Sequence, residues 1–489
     1  MDDFVIPKGT RDFSSIEIKK RNYLIKIIRE KFEIFGFSPI ETPSFENLST
    51  LMEKYGQEGD YLIFKLLRSG DILKNKLLNY LNNNKNNFDI INYTTIIKEI
   101  SNKGLRYDLT VPFVRYVSMH RNEITFPFKR YQIQPVWRAD NPQQGRFREF
   151  YQCDADMIGS QSVSSLWQEI DFLKLCDEIF NALNFSVIIN INHIDILKGL
   201  AEISGIKNHL WKDFIASLDK WNKMGKHVVK HEMIQKGISY KSFEKISIFF
   251  DMKEDFDKKI DIIIKAFQYS KTGIKGVKDI SFIFQNMNKL SLKKIKLQWN
   301  MSLSRGMNYY TGTIFEITAK SIIKKQNDVV KHKQSIGGGG RYDKLSSYFG
   351  MKNFSGIGIS FGLDRIYIYM EKHNLFSIIN NCKFPPSKVL FINFGETEVI
   401  HAYHMISCLR DHGISTQLYP NAISIKKQFL YADKNNIPFT ISIGKQEIEN
   451  KKIKVKNINN RIEIEYDNLQ NVIQHLTSYF KSNASLFVE

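Results

Sequence analysis

The sequence is poor in cysteine: Cys153, Cys176, Cys382 and Cys408 are its only four, and they lie far apart. None shares a paired-ligand spacing with another, so neither a disulfide framework nor a cysteine zinc site is indicated, and a reducing compartment fits. No uninterrupted apolar run approaches the ~20 residues that a membrane span requires. The opening Met1-Asp2-Asp3 lacks the cationic, apolar, small-residue progression of a secretory leader. The expectation is a cytoplasmic protein without a membrane segment. Acidic residues are also short of basic ones, 51 against 70, which leaves a formal charge of +19. That balance suits a polyanionic partner such as nucleic acid. Much of the excess, however, is Lys in Lys/Asn/Ile-rich stretches such as Asn82 to Asn87, where compositional drift is an equal explanation.

Apolar material is ample, at 43% hydrophobic and 13% aromatic residues in a chain of 489. At roughly 150 residues per domain, about three domains follow. Residues 14 to 36 read as an amphipathic helix, with Ser14 and Glu17 in capping-box spacing and Gly36 as a stop. Phe37 to Glu46 reads as a strand broken by Pro39 and Pro43, hence an edge strand on which a second subunit can dock. Residues 129 to 157 read as a long antiparallel pair around the turn-rich Ala139 to Gly145. Alternation places Arg148, Phe150, Gln152, Asp154 and Asp156 on one face, mostly polar and ill suited to a core. Helical spacing returns over 162 to 183, and Phe185 to Asn192 reads as a short strand.

From about 200 to 290 the pattern is helical, with one helix over Leu210 to Met224 ending at Gly225. Ile295, Leu297, Trp299, Met301 and Leu303 then alternate as a strand, which puts Arg305 on the inward parity. Asn381 to Lys388, with Pro385-Pro386, reads as a linker. Beyond it, apolar runs and helical stretches alternate as βαβ units in a domain of about one hundred residues.

Several residues have the chemistry of a site, and each also has a plainer reading. Arg138 ends a strand beside the hairpin loop and offers a planar charged fork suited to phosphate; taken alone, a salt bridge to a neighbouring carboxylate is the better explanation. Phe150 suits stacking on a base or packing in a core. Gln152 and Asp156 suit the polar groups of an amino acid, or structural hydrogen bonds in a wet sheet. An inward Arg305 demands an anion. The tetraglycine Gly337 to Gly340 permits close backbone approach, but lacks the Gly-Lys-Ser/Thr ending of a phosphate loop. His401 and His404 lie one helical turn apart with no further ligand nearby, so a solvated face is the better reading.

Taken in order, these pieces resemble the histidyl-tRNA synthetases over essentially the whole chain. Pro7-Lys8-Gly9-Thr10-Arg11-Asp12 resembles that family's N-terminal signature, and Phe35 to Glu46 looks like class II motif 1, a dimer-interface element. The Arg106 to Thr110 strand within Leu105 to Pro112, then Val136 to Asp140 and Gly145 to Asp154, are similar to the histidyl-specific strand and motif 2. Arg305 to Glu316 and Ser335 to Asp343 resemble the two histidine motifs, and Gly356 to Ile366 looks like motif 3. Lys426-Lys427-Gln428-Phe429 and Ala432-Asp433-Lys434 match an anticodon-binding domain.

The resemblance implies an α+β fold: an antiparallel-sheet class II catalytic domain over 1–382 with a helical insertion at 200–290, plus a mixed α/β anticodon-binding domain over 388–489. It implies that Asp108, Thr110, Gln152 and Asp156 hold L-histidine, with Tyr309 and Tyr310 enclosing the imidazole. Arg138 and Arg305 would grip the α-phosphate region of ATP and Arg365 the γ-phosphate, as the catalytic cations. Phe150 would stack on adenine, with Asp140 also at the nucleotide. Asn141 and Gln143 would face the acceptor end of tRNA(His). Mg²⁺ is the implied metal, with its ligands unassigned, and the implied assembly is a homodimer. Asp140 stands where the family has a glutamate, and Asn308 where an aspartate is common. A regulatory relative that binds histidine without charging tRNA is the main competing reading; Arg138, Arg305, Arg365 and the complete C-terminal domain weigh against it. The Arg305 to Tyr310 and Arg106 to Thr110 segments speak against a synthetase for proline or threonine.

Overall fold

The computed structural model describes residues 5–52, 54–68, 70, 73–75, 100–143, 145–160, 165–252, 254–304, 309–320, 335–376 and 385–483. The Asn82 to Asn87 stretch, Arg305, Asn308 and Cys382 lie outside the described residues. The chain divides into two compact units, Met1–Leu375 and Phe376–Glu489. Among the described residues, no helix is long and apolar enough to cross a membrane.

The first unit is built on an eight-stranded sheet. Its spatial order runs Ser38–Pro39, Phe128–Trp137, Glu149–Ser160, Phe354–Gly362, Ser335–Arg341, Thr313–Ala319, Val187–His193 and Ile295–Trp299. The six central strands pair antiparallel, and only the two edge strands lie parallel to their neighbours. Of the strand expected over Phe37 to Glu46, only Ser38–Pro39 pairs at this edge, where a ladder donor is spared as Pro39 requires, while Phe45–Asn47 joins a separate three-stranded sheet with Ser101–Leu105 and Lys65–Leu67. The central hairpin pairs Trp137 with Glu149 and Phe128 with Ile158.

One face of this sheet is covered by helices. Ser15–Ile34 starts at Ser14 with the expected capping box to Glu17 and turns Leu24, Ile28 and Phe32 inward. Phe32 meets Tyr131 and Phe361, and Phe180 meets Phe361 from the helix Trp167–Ala182. Cys153 and Ala155 point to that side and are fully buried. By alternation, the even-numbered residues of the Glu149–Ser160 strand face the other way.

Four local expectations need correction. Arg106 to Thr110 is not a strand: the strand Ser101–Leu105 ends there and a helix Thr110–Met119 begins. The Asp108 carboxylate accepts from the backbone N–H of Val111 at 3.1 Å, and Pro112 falls in the first turn, where its missing donor costs nothing. The Leu210 to Met224 helix is two helices, Trp211–Leu218 and Trp221–Gln235, and the second continues past a kink at Gly225, whose φ of 80° only glycine adopts freely. The Ile295 strand ends at Trp299; Met301 and Leu303 are buried beyond it in a segment whose carbonyls at both positions accept from Asn192 Nδ2. Arg148 precedes the strand rather than sharing its polar face. Its backbone N–H donates to the Gly9 carbonyl at 2.7 Å and its Nε to the Asp140 carbonyl at 3.1 Å, so it ties the N-terminal segment to the hairpin loop.

The second unit carries a five-stranded sheet ordered Thr416–Leu418, Val389–Phe391, Phe439–Ser442, Ile453–Asn457 and Glu463–Tyr466. The first three are parallel and the last two antiparallel. Helices Glu396–Asp411 and Ile425–Lys434 connect the parallel strands, as the alternating pattern predicts. Gln428 is fully buried and closes onto Asn393, accepting from its N–H and donating to its carbonyl, both at 2.8 Å.

Candidate active site

The cleft opens on the sheet face away from the covering helices and spans about 900 Å³ of space that is continuous with solvent. Phe150, Gln152, Asp154 and Asp156 line it from one strand, the alternation that the sequence predicts.

One end is cationic. Arg138, Arg146 and Arg365 all line the cleft. Arg138 donates from Nε to the Tyr107 carbonyl at 3.0 Å, with its guanidinium 4.2 Å from the Tyr107 ring and 5.2 Å from that of Phe150. It makes no salt bridge among the described residues, which removes the plainer explanation of its charge. Burial opposes that charge, but Tyr107, Asp108 and Asp140 nearby carry its pKa above the ordinary value. Arg365 donates from Nε to the Gly145 carbonyl at 3.0 Å and from Nη1 to the Ser335 carbonyl at 2.7 Å. Its pKa is lowered to about 10, first by burial and then by Arg138 and Arg146. Crowded cations held by neutral carbonyls are short of an anion, and a polyphosphate supplies one. Asp140 is buried and paired with Arg146 at 2.8 Å. Asn141 and Gln143 are exposed on the hairpin loop and do not line the cleft.

The other end is acidic. Asp108 is buried and accepts from Tyr55 Oη at 2.8 Å and Tyr309 Oη at 3.1 Å. Asp156 accepts from Tyr342 Oη at 2.6 Å and pairs with Arg130 at 2.8 Å. Burial raises both carboxyl pKa values. Asp154 is pushed up to about 8 by burial, which Arg130 only partly offsets. Gln152 Nε2 donates to Ser360 Oγ at 2.7 Å while its Oε1 is buried without a partner, as is Asp154 Oδ1. Buried acceptors without donors favour a ligand rich in N–H groups. Thr110, Tyr309 and Tyr310 complete this end.

The tetraglycine is a strand that lines the cleft through Gly337, Gly338 and Gly339. A Cβ on Gly339 would fall 2.0 Å from the Gly358 carbonyl oxygen, so these glycines also serve the tight packing of adjacent strands. Gly358 is needed in turn because a Cβ there would sit 1.9 Å from Asp156 Oδ1. His401 and His404 are exposed, and the described residues contain no cluster of three His, Cys, Asp or Glu fit for a metal.

Sequence reasoning assigned no role to Arg146, Arg130, Tyr55, Asp154, Tyr342 or Ser360. Asp154 shared the polar parity of Gln152 and Asp156, and Arg146, Tyr342 and Ser360 lay inside quoted motifs, so a signal was present for these four. Tyr55 and Arg130 carried none: their places are set by contacts across the sheet.

An antiparallel sheet that carries cationic forks at one end of a cleft and carboxylates at the other defines the catalytic unit of a class II synthetase. The profile "Histidyl-tRNA synthetase" matches residues 96–366, and "Anticodon binding domain" matches 388–477. The chain is 50% identical to "Histidine--tRNA ligase" of Christiangramia forsetii, over 93% of this chain and 95% of that one. It is 46% identical to the protein of the same name from Flavobacterium johnsoniae, over 96% and 98%. The crystal structure of histidyl-tRNA synthetase from Nostoc sp. PCC 7120 superposes with a TM-score of 0.71 at 27% identity, covering 98% of this chain and 99% of the other. The chain belongs to the histidyl-tRNA synthetase family.

Proposed function

We propose that the two ends of this one cleft divide the work of an ATP-dependent histidine–tRNA ligase, with the amino acid at the carboxylates and the triphosphate at the arginines. The chain activates L-histidine with ATP to histidyl-adenylate and pyrophosphate, then transfers histidine to the 3′ end of tRNA(His). The observation that carries the division of labour is the placement of Arg138 and Arg365 in the same cleft as Asp108, Gln152 and Asp156. In the first step the histidine carboxylate attacks the α-phosphorus and the bond to the bridging oxygen of pyrophosphate breaks. In the second, a terminal ribose hydroxyl attacks the acyl carbon and AMP leaves. No side chain acts as nucleophile; the protein positions reactants and stabilises charge that grows on phosphate oxygens.

Arg138 takes the α-phosphate region, Arg365 the γ-phosphate, Phe150 and Asp140 the nucleoside end, and Arg305 joins the catalytic cations on the strength of the motif it begins. Asp108, Thr110, Gln152 and Asp156 take the ammonium and imidazole, and Tyr309 and Tyr310 close over the ring. Discrimination follows from unmet hydrogen bonds: a site built for N–H donors rejects side chains that lack them by ~10⁴ or more, which makes an editing domain unnecessary. Mg²⁺ enters with the nucleotide, bound mainly by phosphate oxygens and water. Of the cleft-lining carboxylates near the arginines, Asp140 is engaged by Arg146 and Asp364 by Arg21 and the Tyr151 N–H, so neither stands open to hold the ion.

We assign residues 1–382 to catalysis, with 200–290 as an inserted helical module, and 388–489 to the anticodon. Asn141 and Gln143, exposed beside the cleft, face the tRNA acceptor end. The Phe37 to Glu46 edge is the dimer contact, and the cytoplasm is the compartment. The decisive experiment is ATP–pyrophosphate exchange with each of the twenty amino acids: exchange with histidine alone is expected, and exchange driven better by another amino acid would overturn the assignment. Arg305→Ala should abolish exchange while tRNA retention on filters persists; parallel loss of both would remove Arg305 from catalysis.

A further inference from the structure

Behind the acidic end of the cleft lies a charged pair that none of the roles above uses. Glu169, on the helix Trp167–Ala182, is fully buried, and Arg341, the last residue of the tetraglycine strand, nearly so. Arg341 grips both oxygens of Glu169, from Nε at 2.7 Å and Nη2 at 2.6 Å, while Nη1 donates to Ser355 Oγ at 2.7 Å. Thr313 Oγ1 adds a fourth bond, to Glu169 Oε1 at 3.1 Å. Burial works against the arginine's charge, yet Glu169 holds its pKa above the ordinary value. Desolvation cancels much of the attraction within such a pair, so it is a poor source of stability and a good means of fixing geometry.

What it fixes is the floor of the amino-acid end. The Arg341 carbonyl accepts from the Thr311 N–H at 2.8 Å, and the Asp343 N–H donates to Thr311 Oγ1 at 2.9 Å. Gly312 lies flat on the Arg341 arm, where a Cβ would come within 3.1 Å of Cδ. On one side of Arg341, Gly340 packs on Tyr310, with a Cβ there 3.0 Å from the ring; on the other, Tyr342 donates to Asp156. Neither Glu169 nor Arg341 lines the cleft.

We propose that the Glu169–Arg341 pair is a positioning clamp that sets Tyr309, Tyr310 and Tyr342 around the histidine side chain without touching it. This rests on the reading that the cleft takes histidine beside ATP. The clamp grips the Arg341 end of its strand, whereas Arg138 is held by the Tyr107 carbonyl and Arg365 by Gly145 and by Ser335 at the opposite end of that strand, so the effect falls first on the amino-acid end.

The test is pyrophosphate exchange on the full-length protein, with histidine and ATP varied in separate series and thermal melts alongside. Glu169→Gln removes the charge and keeps the shape; histidine KM is expected to rise about tenfold, within the range that coupled neighbours exert on each other, while ATP KM and kcat move less than about twofold. Arg341→Lys keeps a charge but not the two-pronged fork, and is expected to raise histidine KM to a similar extent. Ser355→Ala, a milder change that leaves the Glu169 contacts in place and removes the hydroxyl that accepts from Nη1 and donates to Asp343 Oδ1, should raise histidine KM about threefold and guards against loss of folding in the first two. Folded variants with unchanged histidine KM, or with both KM values rising together, would overturn the clamp. Wild-type protein that exchanges with no histidine at all would overturn the functional reading instead, and the clamp with it.

Discussion

Tyr309 and Asp108 stand 201 residues apart in the chain and meet in the cleft, where the phenol donates to Asp108 Oδ2 at 3.1 Å. Tyr55 and the Val111 N–H serve the other oxygen, so the carboxylate is held from three separate elements. Tyr309→Phe removes one donor and leaves an acceptor buried without it. A destabilisation of about 1–3 kcal/mol is expected in urea melts, together with a rise of about tenfold in histidine KM. Unchanged values for both would mean that the hydroxyl bond contributes nothing.

Arg365 is oriented in advance by the Gly145 and Ser335 carbonyls, so its charge meets the phosphates without reorganisation. Arg365→Ala and Arg138→Ala should each lower kcat for exchange by roughly 10²–10³, the scale for removing one preorganised donor. Filter binding of tRNA should persist in both. A loss confined to ATP KM would assign these residues to binding alone.

Phe150 lies 5.2 Å from the Arg138 guanidinium and lines the same cleft. Stacking on a base is worth ~1–3 kcal/mol, so Phe150→Ala should raise ATP KM by about tenfold or more and leave histidine KM nearly constant. Phe150→Tyr should behave almost as wild type. The reverse pattern, with histidine affected, would place the ring at the wrong end.

Asp154 provides a pH test. Its folded pKa is raised to about 8, well above the ordinary 3.8. Between those values the folded chain holds a proton that the unfolded chain has released, so this group's contribution to stability falls as pH rises from about 4 to about 8. Asp154→Asn removes that slope. Without ligand, the variant should melt a few degrees above wild type at pH 8 and show little difference near pH 4. Equal differences at the two pH values would mean that Asp154 is ionised throughout.

Gly358→Ala probes the packing beneath Asp156. An added Cβ would lie 1.9 Å from Asp156 Oδ1, which must swing away from Tyr342 and Arg130. Histidine-dependent exchange should fall by about 10² or more, as expected when catalytic groups are displaced by about an ångström. A variant with wild-type KM for histidine would show that the site tolerates the shift.

The local order of the site was readable along the chain, because two-residue alternation places Phe150, Gln152, Asp154 and Asp156 on one face without knowledge of what they face. The boundaries were less readable. Leu105 to Pro112 carries Tyr107, Thr110 and Val111, which suit a strand, yet the Asp108 carboxylate accepts from the Val111 N–H and the chain enters a helix at Thr110. Arg148 fitted the parity of the polar face but was drawn away by the Gly9 carbonyl, a contact from 139 residues upstream that no local pattern encodes.

From its own letters, then, the chain determined its antiparallel hairpin, the capped first helix, the alternating C-terminal unit and the family to which its motifs belong, since each depends on neighbours within a few residues or on a shared order of motifs. Only tertiary structure decided that Arg138 and Arg365 share a cleft with Asp108 and Asp156, that Tyr55 and Arg130 serve those carboxylates, and that Glu169 anchors the strand behind them. The reason is physical: a charge taken out of water must find its partner wherever the fold brings one, and distance along the chain has no part in that choice.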